Sequence, residues 1–211
     1  MKEFIKTHKH AAFFLYLLIY LPWFMLLEKH VVTDYNIIHI PFDDKIPFIE
    51  YFIVPYLLWF PYVGFAYVYF FFKDKQTFIK MATFLTIGMT FFLILCSIYP
   101  NGLPANYRPD FDTLGRDNIF IDLVKTLYSS DTSTNVLPSI HVFNSLGVHI
   151  AFMKHKDFKY PKLIKGASLV LCTLICFATV CLKQHSILDV IAAFALAAVL
   201  YPLIFMRKKK I

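Results

Sequence analysis

Cysteine is scarce in this chain, and repeats, low-complexity tracts and long linkers are missing from it. The four cysteines, Cys96, Cys172, Cys176 and Cys181, all fall inside apolar stretches, where a thiol acts as a small hydrophobic group. This placement excludes a disulfide framework and reactive thiolates. Because no repeat or linker divides the sequence, residues 1–211 are predicted to form a single domain.

The first apolar run lacks a cleavage site for signal peptidase. A basic start and an apolar stretch are followed by Leu26-Leu27-Glu28-Lys29-His30, which offers no small residue for cleavage. We therefore expect this run to remain as a membrane-spanning segment.

Apolar residues dominate the composition of the chain. Hydrophobic residues make up 58% of the chain, 24 of them are Phe, and the mean hydropathy of +0.59 exceeds that of soluble domains. A bilayer core of about 30 Å needs about 20 helical residues, a length that the first and fourth of six apolar stretches reach only with flanking residues. We predict an all-α, polytopic membrane protein with about six transmembrane helices, five or seven being the alternatives. The predicted spans are residues 11–27, 52–72, 81–99, 138–153, 163–182 and 186–206.

Basic residues are distributed unevenly about these spans. With alternating spans, 15 of the 21 Lys and Arg residues share one side with both termini, and six lie on the other. The positive-inside rule predicts cytoplasmic termini, and the small size and lysine-rich tails suit a bacterial plasma membrane. Anionic headgroups account for the net charge of +7, so membrane lipids are the expected partner and nucleic acid is not.

The connection between the third and fourth spans contains a short amphipathic segment. Its apolar residues recur at helical spacing, and Asp117 is a candidate N-cap. We expect a short interfacial helix on the outer face, with a helix packed on the bundle as the alternative. The apolar residues are Ile119, Phe120, Leu123, Val124, Leu127 and Tyr128.

Polar side chains of catalytic type follow or precede several spans. Alternation of the spans places them all at the same, outer end of the bundle, where ionisable groups usually mark a pathway or a site. They are Arg108 after the third span, Ser139 and His141 at the fourth, and Lys183, His185 and Asp189 at the junction of the fifth and sixth.

The spacing of His185 and Asp189 indicates an oriented base or nucleophile. Four residues apart, they share one face of a helix, so the carboxylate can hold one ring nitrogen and leave the other free for chemistry. A structural hydrogen bond is the alternative for this pair taken alone.

The other candidates suit the binding of a phosphate. Pro138 fits the first turn of a helix, so Ser139 lies where free amides attract an anion, and His141 is placed to protonate a leaving oxygen. Arg108 and Lys183 supply cations for a phosphoryl transition state, although each alone could be an interfacial cation that extends to water.

In order and spacing these motifs resemble the type 2 phosphatidic acid phosphatase superfamily, within the branch that includes inositolphosphorylceramide and sphingomyelin synthases. The resemblance covers about the last 110 residues and rests on Arg108-Pro109, Pro138-Ser139, His141, His185 and Asp189. Lys183 and the stretch 40–48 are similar to the synthase-like branch. The chain departs from the family at Asn101, Ile140 and Thr179, where the family has Lys, Gly and Arg.

The resemblance implies a lipid phosphatase without a metal or other cofactor. His185 would attack phosphorus and form a phosphohistidine, Asp189 would orient it, and His141 would protonate the leaving alkoxide. Arg108, Ser139 and Lys183 would hold the phosphate. Water would then release the phosphate of a lipid phosphate or diphosphate ester, or an alcohol would accept it, as in headgroup transfer.

Two other classes use the same residue types. A transporter or scaffold could use the charges for ion pairing, and a metal protein could use His141, His185 and Asp189 as ligands.

Overall fold

A computed structural model describes residues 9–30 and 34–206. Lys2, Lys6 and the basic residues 207–210, which contribute to the predicted charge asymmetry, lie outside this part. Almost all regular structure within it is helical, which confirms the predicted all-α membrane class. The helices are α1 (Ala12–Leu15), α2 (Leu17–His30), α3 (Ile53–Lys73), α4 (Lys75–Ile98), α5 (Ile119–Ser130), α6 (Ile140–Lys154), α7 (Pro161–Cys181) and α8 (Ile187–Ile204). Two short strands, β1 (Asn36–Ile37) and β2 (Asn101–Gly102), pair in parallel.

Five helical segments are long and apolar enough to cross a membrane. They carry exposed aliphatic side chains, such as Leu18 and Ile98, which are 72% and 75% exposed. A face of this kind is stable only against lipid or protein, so we describe the chain as membrane-embedded. The segments are Lys9–His30, Glu50–Lys73, Lys75–Ile98, Pro161–Cys181 and Ile187–Ile204, and they correspond to five of the six predicted spans.

The predicted fourth span is the short helix α6. Its 15 residues rise only about 22 Å at 1.5 Å per residue. Helices α3, α4, α7 and α8 pack against it. The approach to α4 is close, because a Cβ on Gly88 would overlap the Phe143 ring. Phe143 stacks on Phe84 with 4.6 Å between ring centroids. α6 therefore forms the buried centre of the bundle.

Two details of the helix starts differ from expectation. Asn118, not Asp117, caps α5, because its side chain accepts the amides of Phe120 and Ile121. α6 begins at Ile140 with Ser139 as its N-cap, so Pro138 precedes the helix and does not occupy its first turn. Both caps are short polar side chains that accept amide protons, as helix starts require.

Long-range contacts define the two ends of the bundle. At one end, His155 Nδ1 lies 2.8 Å from Asp74 Oδ2, and Lys80 Nζ donates to the Phe205 carbonyl over 3.2 Å. These bonds bring the α3–α4 connection, the end of α6 and the end of α8 together. The β1–β2 pair and the long loops lie at the opposite end, with His185.

Candidate active site

His185 and Asp189 meet as their spacing predicts. His185 Nδ1 donates to Asp189 Oδ2 over 3.2 Å, and both residues are buried. His185 precedes the N-cap of α8, and Asp189 lies in the first turn of that helix. The same carboxylate oxygen accepts the Ser186 amide at 2.9 Å. The carboxylate thus orients the imidazole, and Nε2 makes no hydrogen bond to any described residue.

His141 lies across from His185, at the start of α6. The centroids of the two imidazole rings are 6.0 Å apart. His141 packs against the rings of Tyr56 and Trp59, each with 4.5 Å between centroids. Its Nδ1 is buried and has no partner among the described residues. An unpaired second histidine beside an oriented one is the arrangement that acid–base chemistry needs.

Ser139 caps helix α6, so its hydroxyl is not free to bind a phosphate as predicted. Its hydroxyl accepts the Val142 amide at 3.4 Å, and its own amide donates to the Asp189 carbonyl at 3.2 Å. Ser139 has no exposed surface. The bond to Asp189 joins the start of α6 to α8, and so fixes the distance between the two histidines.

Arg108 lies near His185, but most of its donors are already bound. One Nη2 group donates to Gln184 Oε1 at 2.5 Å and to the carbonyls of Asp131 and Thr132 at 2.8 and 2.9 Å. Its guanidinium covers the Tyr128 ring at 4.2 Å, and burial lowers the pKa of Arg108. The buried Nε has no partner among the described residues, and Nη1 makes one hydrogen bond, to the Tyr128 carbonyl at 3.3 Å.

Lys183 points away from the two histidines. Its ammonium donates to the carbonyls of Asp43 and Ile46 at 2.9 and 2.6 Å and lies 4.7 Å from the centroid of the Tyr107 ring. Burial lowers the pKa of Lys183. The structure therefore brings His185, Asp189, His141, Ser139 and Arg108 together, whereas the Lys183 ammonium binds the loop between α2 and α3.

The positions that depart from the family pattern hold structural roles. Asn101 has no exposed surface, and its Oδ1 accepts the amides of Val136 and Leu137 at 3.0 and 2.9 Å. The Thr179 carbonyl accepts the amides of Gln184 and His185. Neither position therefore supplies a cation in place of the Lys and Arg of the family pattern.

Sequence reasoning missed two carboxylates next to the histidines. Asp131 Oδ2 accepts from the Tyr56 hydroxyl at 3.1 Å, and burial raises the pKa of Asp131. Glu28 accepts from Thr132 Oγ1 and Asn135 Nδ2 at 2.5 and 2.8 Å. Asp131 directly follows the amphipathic helix and Glu28 directly follows the first predicted span, so the alternation of the spans already placed both at this end.

Two cavities converge on His141. The larger, of about 620 Å³, runs between α1, α2, α3 and α6 and is lined mainly by aromatic and aliphatic side chains, with Asp131 and His141 at its polar end. The smaller, of about 30 Å³, touches both histidines, Asp131, Glu28 and Gln184. Its size suits one or two water molecules, and the larger one suits an apolar ligand.

A metal site formed by His141, His185 and Asp189 would require their side chains to converge on one point. In residues 9–30 and 34–206, no group of three or more His, Cys, Asp and Glu side chains is placed to hold a metal ion. His141, His185 and Asp189 thus come together as an oriented pair facing a second ring.

Comparison of the chain with family models, with curated proteins and with solved structures gives no match.

Proposed function

We propose that this protein is an integral-membrane lipid phosphatase that acts through a phosphohistidine on His185. The observation that carries the proposal is the placement of the His185–Asp189 pair. The His185 ring lies 6.0 Å from the His141 ring, and His141 lines both cavities. The resemblance to the type 2 phosphatidic acid phosphatases, including their synthase-like branch, supports the same assignment.

The first step would transfer phosphorus from the lipid oxygen to His185 Nε2. Asp189 holds the proton on Nδ1 and stabilises the imidazolium that forms. As the P–O bond breaks, a protonated His141 gives its proton to the leaving alkoxide. The lipid tail would occupy the larger cavity, with its phosphate at the polar end beside His141.

The second step would use water. The space between His141 and His185 is of water size, and the neutral His141 left by the first step can accept a proton from that water as it attacks phosphorus. The P–N bond then breaks and phosphate is released. His185 regains a free Nε2, and His141 is again protonated. This fit favours hydrolysis over transfer to an alcohol headgroup.

Within this proposal α6 is the fourth of six spans, both termini are cytoplasmic and the site lies at the outer face of a plasma membrane. The lysines of the α3–α4 and α6–α7 connections support it, because they lie at the end opposite His185. Accessibility labelling of intact cells tests it: cysteine at Lys125 should react with an impermeant maleimide, and cysteine at Lys75 should not.

The deciding experiment measures phosphate release by the detergent-purified protein in a buffer that contains EDTA. The substrates are phosphatidic acid, diacylglycerol diphosphate and a prenyl diphosphate. His185→Ala should lower release by several orders of magnitude, and the exposed His30→Ala serves as control. Release that survives His185→Ala would overturn the mechanism. No release by the unmodified protein, together with headgroup exchange between labelled lipids, would replace phosphatase by phosphotransferase.

A further inference from the structure

The end of the bundle opposite His185 carries a concentration of positive charge. Segments 73–80 and 154–165, which connect α3 to α4 and α6 to α7, hold eight lysines and only two acidic residues, Asp74 and Asp157. None of these lysines forms an ion pair with a carboxylate in residues 9–30 and 34–206. Most of the charge at this end is therefore uncompensated within the described part of the protein.

A cavity of about 430 Å³ lies between these two segments and the end of α8. Three of the lysines line it, Lys80, Lys154 and Lys156, together with Gln76 and Thr77 in the first turn of α4. Lys154 and Lys156 are exposed, and neither donates a hydrogen bond to another described residue. Their ammonium groups are thus available to a ligand in the cavity.

The two aspartates on the cavity wall leave a net positive charge there. The Asp74 carboxylate already accepts the amide and the hydroxyl of Thr77 at 2.9 and 2.7 Å, and it lies 2.8 Å from His155 Nδ1. Asp157 adds one negative charge against three lysines. The first amides of α4 have no acceptor within their helix, so they and the helix dipole add to the attraction for an anion.

The number of cations on the wall restricts the ligand. A phosphate monoester carries a charge of about −1.5 to −2 at neutral pH and has three strong acceptor oxygens, whereas a phosphodiester or a carboxylate carries a single charge. Lys80 donates one N–H to the Phe205 carbonyl, which orients its ammonium group and leaves the other donors for a ligand. Three lysines therefore suit a doubly charged phosphate.

We propose that this cavity binds a phosphate group with two negative charges, either the monoester headgroup of a lipid or free inorganic phosphate, through Lys80, Lys154 and Lys156. The site is separate from His185 and does not depend on the proposed reaction. Its wall comes from the start of α4 and from the ends of α6 and α8, so a bound phosphate would hold these three helices together.

Equilibrium dialysis of the purified full chain against radiolabelled inorganic phosphate, at physiological salt to screen loose surface binding, tests the site. Lys154→Gln with Lys156→Gln should weaken the lysine-dependent binding about tenfold or more, because each change removes a charge-assisted hydrogen bond. Lys154→Arg with Lys156→Arg keeps both charges and should retain binding.

The same segment provides a matched control. Lys159 and Lys162 are also exposed but do not line the cavity. Changing both to Gln removes the same charge from the same end of the bundle, and should weaken binding less than about twofold, as for a distant surface charge. Equal losses in the two Gln double variants, or no loss in either, would overturn the inference.

Lipid competition identifies the source of the phosphate. The protein is placed in nanodiscs of zwitterionic lipid, and only the share of binding that Lys154 and Lys156 supply is followed. Displacement of this share by added phosphatidic acid supports a lipid monoester, and retention of it supports free phosphate. Equal displacement by phosphatidylglycerol, a diester with one charge, would overturn the selection of a doubly charged phosphate.

Discussion

Asp43 and Ser186 are 143 residues apart in sequence and joined by a 2.7 Å hydrogen bond in which the serine hydroxyl donates to the carboxylate. The other carboxylate oxygen accepts the Ile187 amide at 2.9 Å. Asp43 has no exposed surface. Through these bonds, and through the bonds of the Lys183 ammonium to the backbone of the same segment, the loop between α2 and α3 holds the residues that flank His185.

We predict that Asp43→Asn lowers both stability and phosphate release. The carboxylate accepts three hydrogen bonds, including the Ile40 amide at 2.9 Å, and an amide side chain cannot accept them all. A buried donor left unpaired costs about 1–3 kcal/mol. Thermal unfolding and phosphate release measure the effect, with Asp44→Asn as control because its side chain is 64% exposed. Equal loss in both variants would contradict the prediction.

Asp189→Asn should reduce phosphate release about a thousandfold or more, because the amide no longer favours the tautomer with a proton on Nδ1. The fold should survive, since the asparagine oxygen can still accept the Ser186 amide. Release and the melting temperature are measured together, and the exposed Asp122→Asn is the control. A loss of less than about threefold would show that the carboxylate does not orient His185 for the reaction.

Asp131→Asn should stabilise the protein at neutral pH. Burial raises the pKa of Asp131 above its ordinary value of 3.8, so the folded protein binds the proton more tightly than the unfolded chain does. Stability from this group is therefore present at low pH and decreases as pH rises from about 4 through the raised pKa. Melting temperatures between pH 4 and 8 should fall less in the variant than in the parent. A variant less stable at pH 7 would mean that the attraction of Arg108 for the carboxylate outweighs its burial.

Gly88→Ala should destabilise the bundle by about 1–3 kcal/mol, the usual cost of overpacking, because the new methyl group would overlap the Phe143 ring. Gly166→Ala on α7 is the matched control: apart from the neighbouring backbone of α7, no atom of the described residues lies within 4 Å of its Cβ position, and alanine favours a helix over glycine. Thermal unfolding in detergent should show a lower melting temperature for Gly88→Ala and an unchanged or higher one for Gly166→Ala. Similar shifts would contradict the close packing of α4 on α6.

The helices of this fold were largely predictable. Inside a bilayer, the backbone N–H and C=O groups of each long apolar stretch must form hydrogen bonds within that stretch, and a helix provides them. The short fourth stretch was predicted to reach spanning length with flanking residues, but α6 covers only Ile140–Lys154, and four neighbouring helices pack against it. The capping residue of α5 was also missed, because Asp117 and Asn118 are both good caps and only the backbone chooses between them.

At the candidate site, the pair His185 and Asp189 follows from the helical repeat alone, and the common end of the candidate residues follows from alternation of the spans. The direction of the Lys183 side chain does not, because Lys183 adopts a left-handed backbone with φ of 52° and finds its acceptors in a loop almost 140 residues earlier. The approach of Glu28 and Asp131 to the histidines likewise depends on how separate helices and loops pack.

The sequence by itself thus determined the membrane-embedded helical class and the His185–Asp189 pairing, because both depend on local hydropathy and helical periodicity. Only the tertiary structure decided that Arg108 bonds Gln184, that Lys183 binds the loop between α2 and α3, and that His141 lies beside His185. Those relationships join residues far apart in the chain, and the packing of helices alone sets the distances between them.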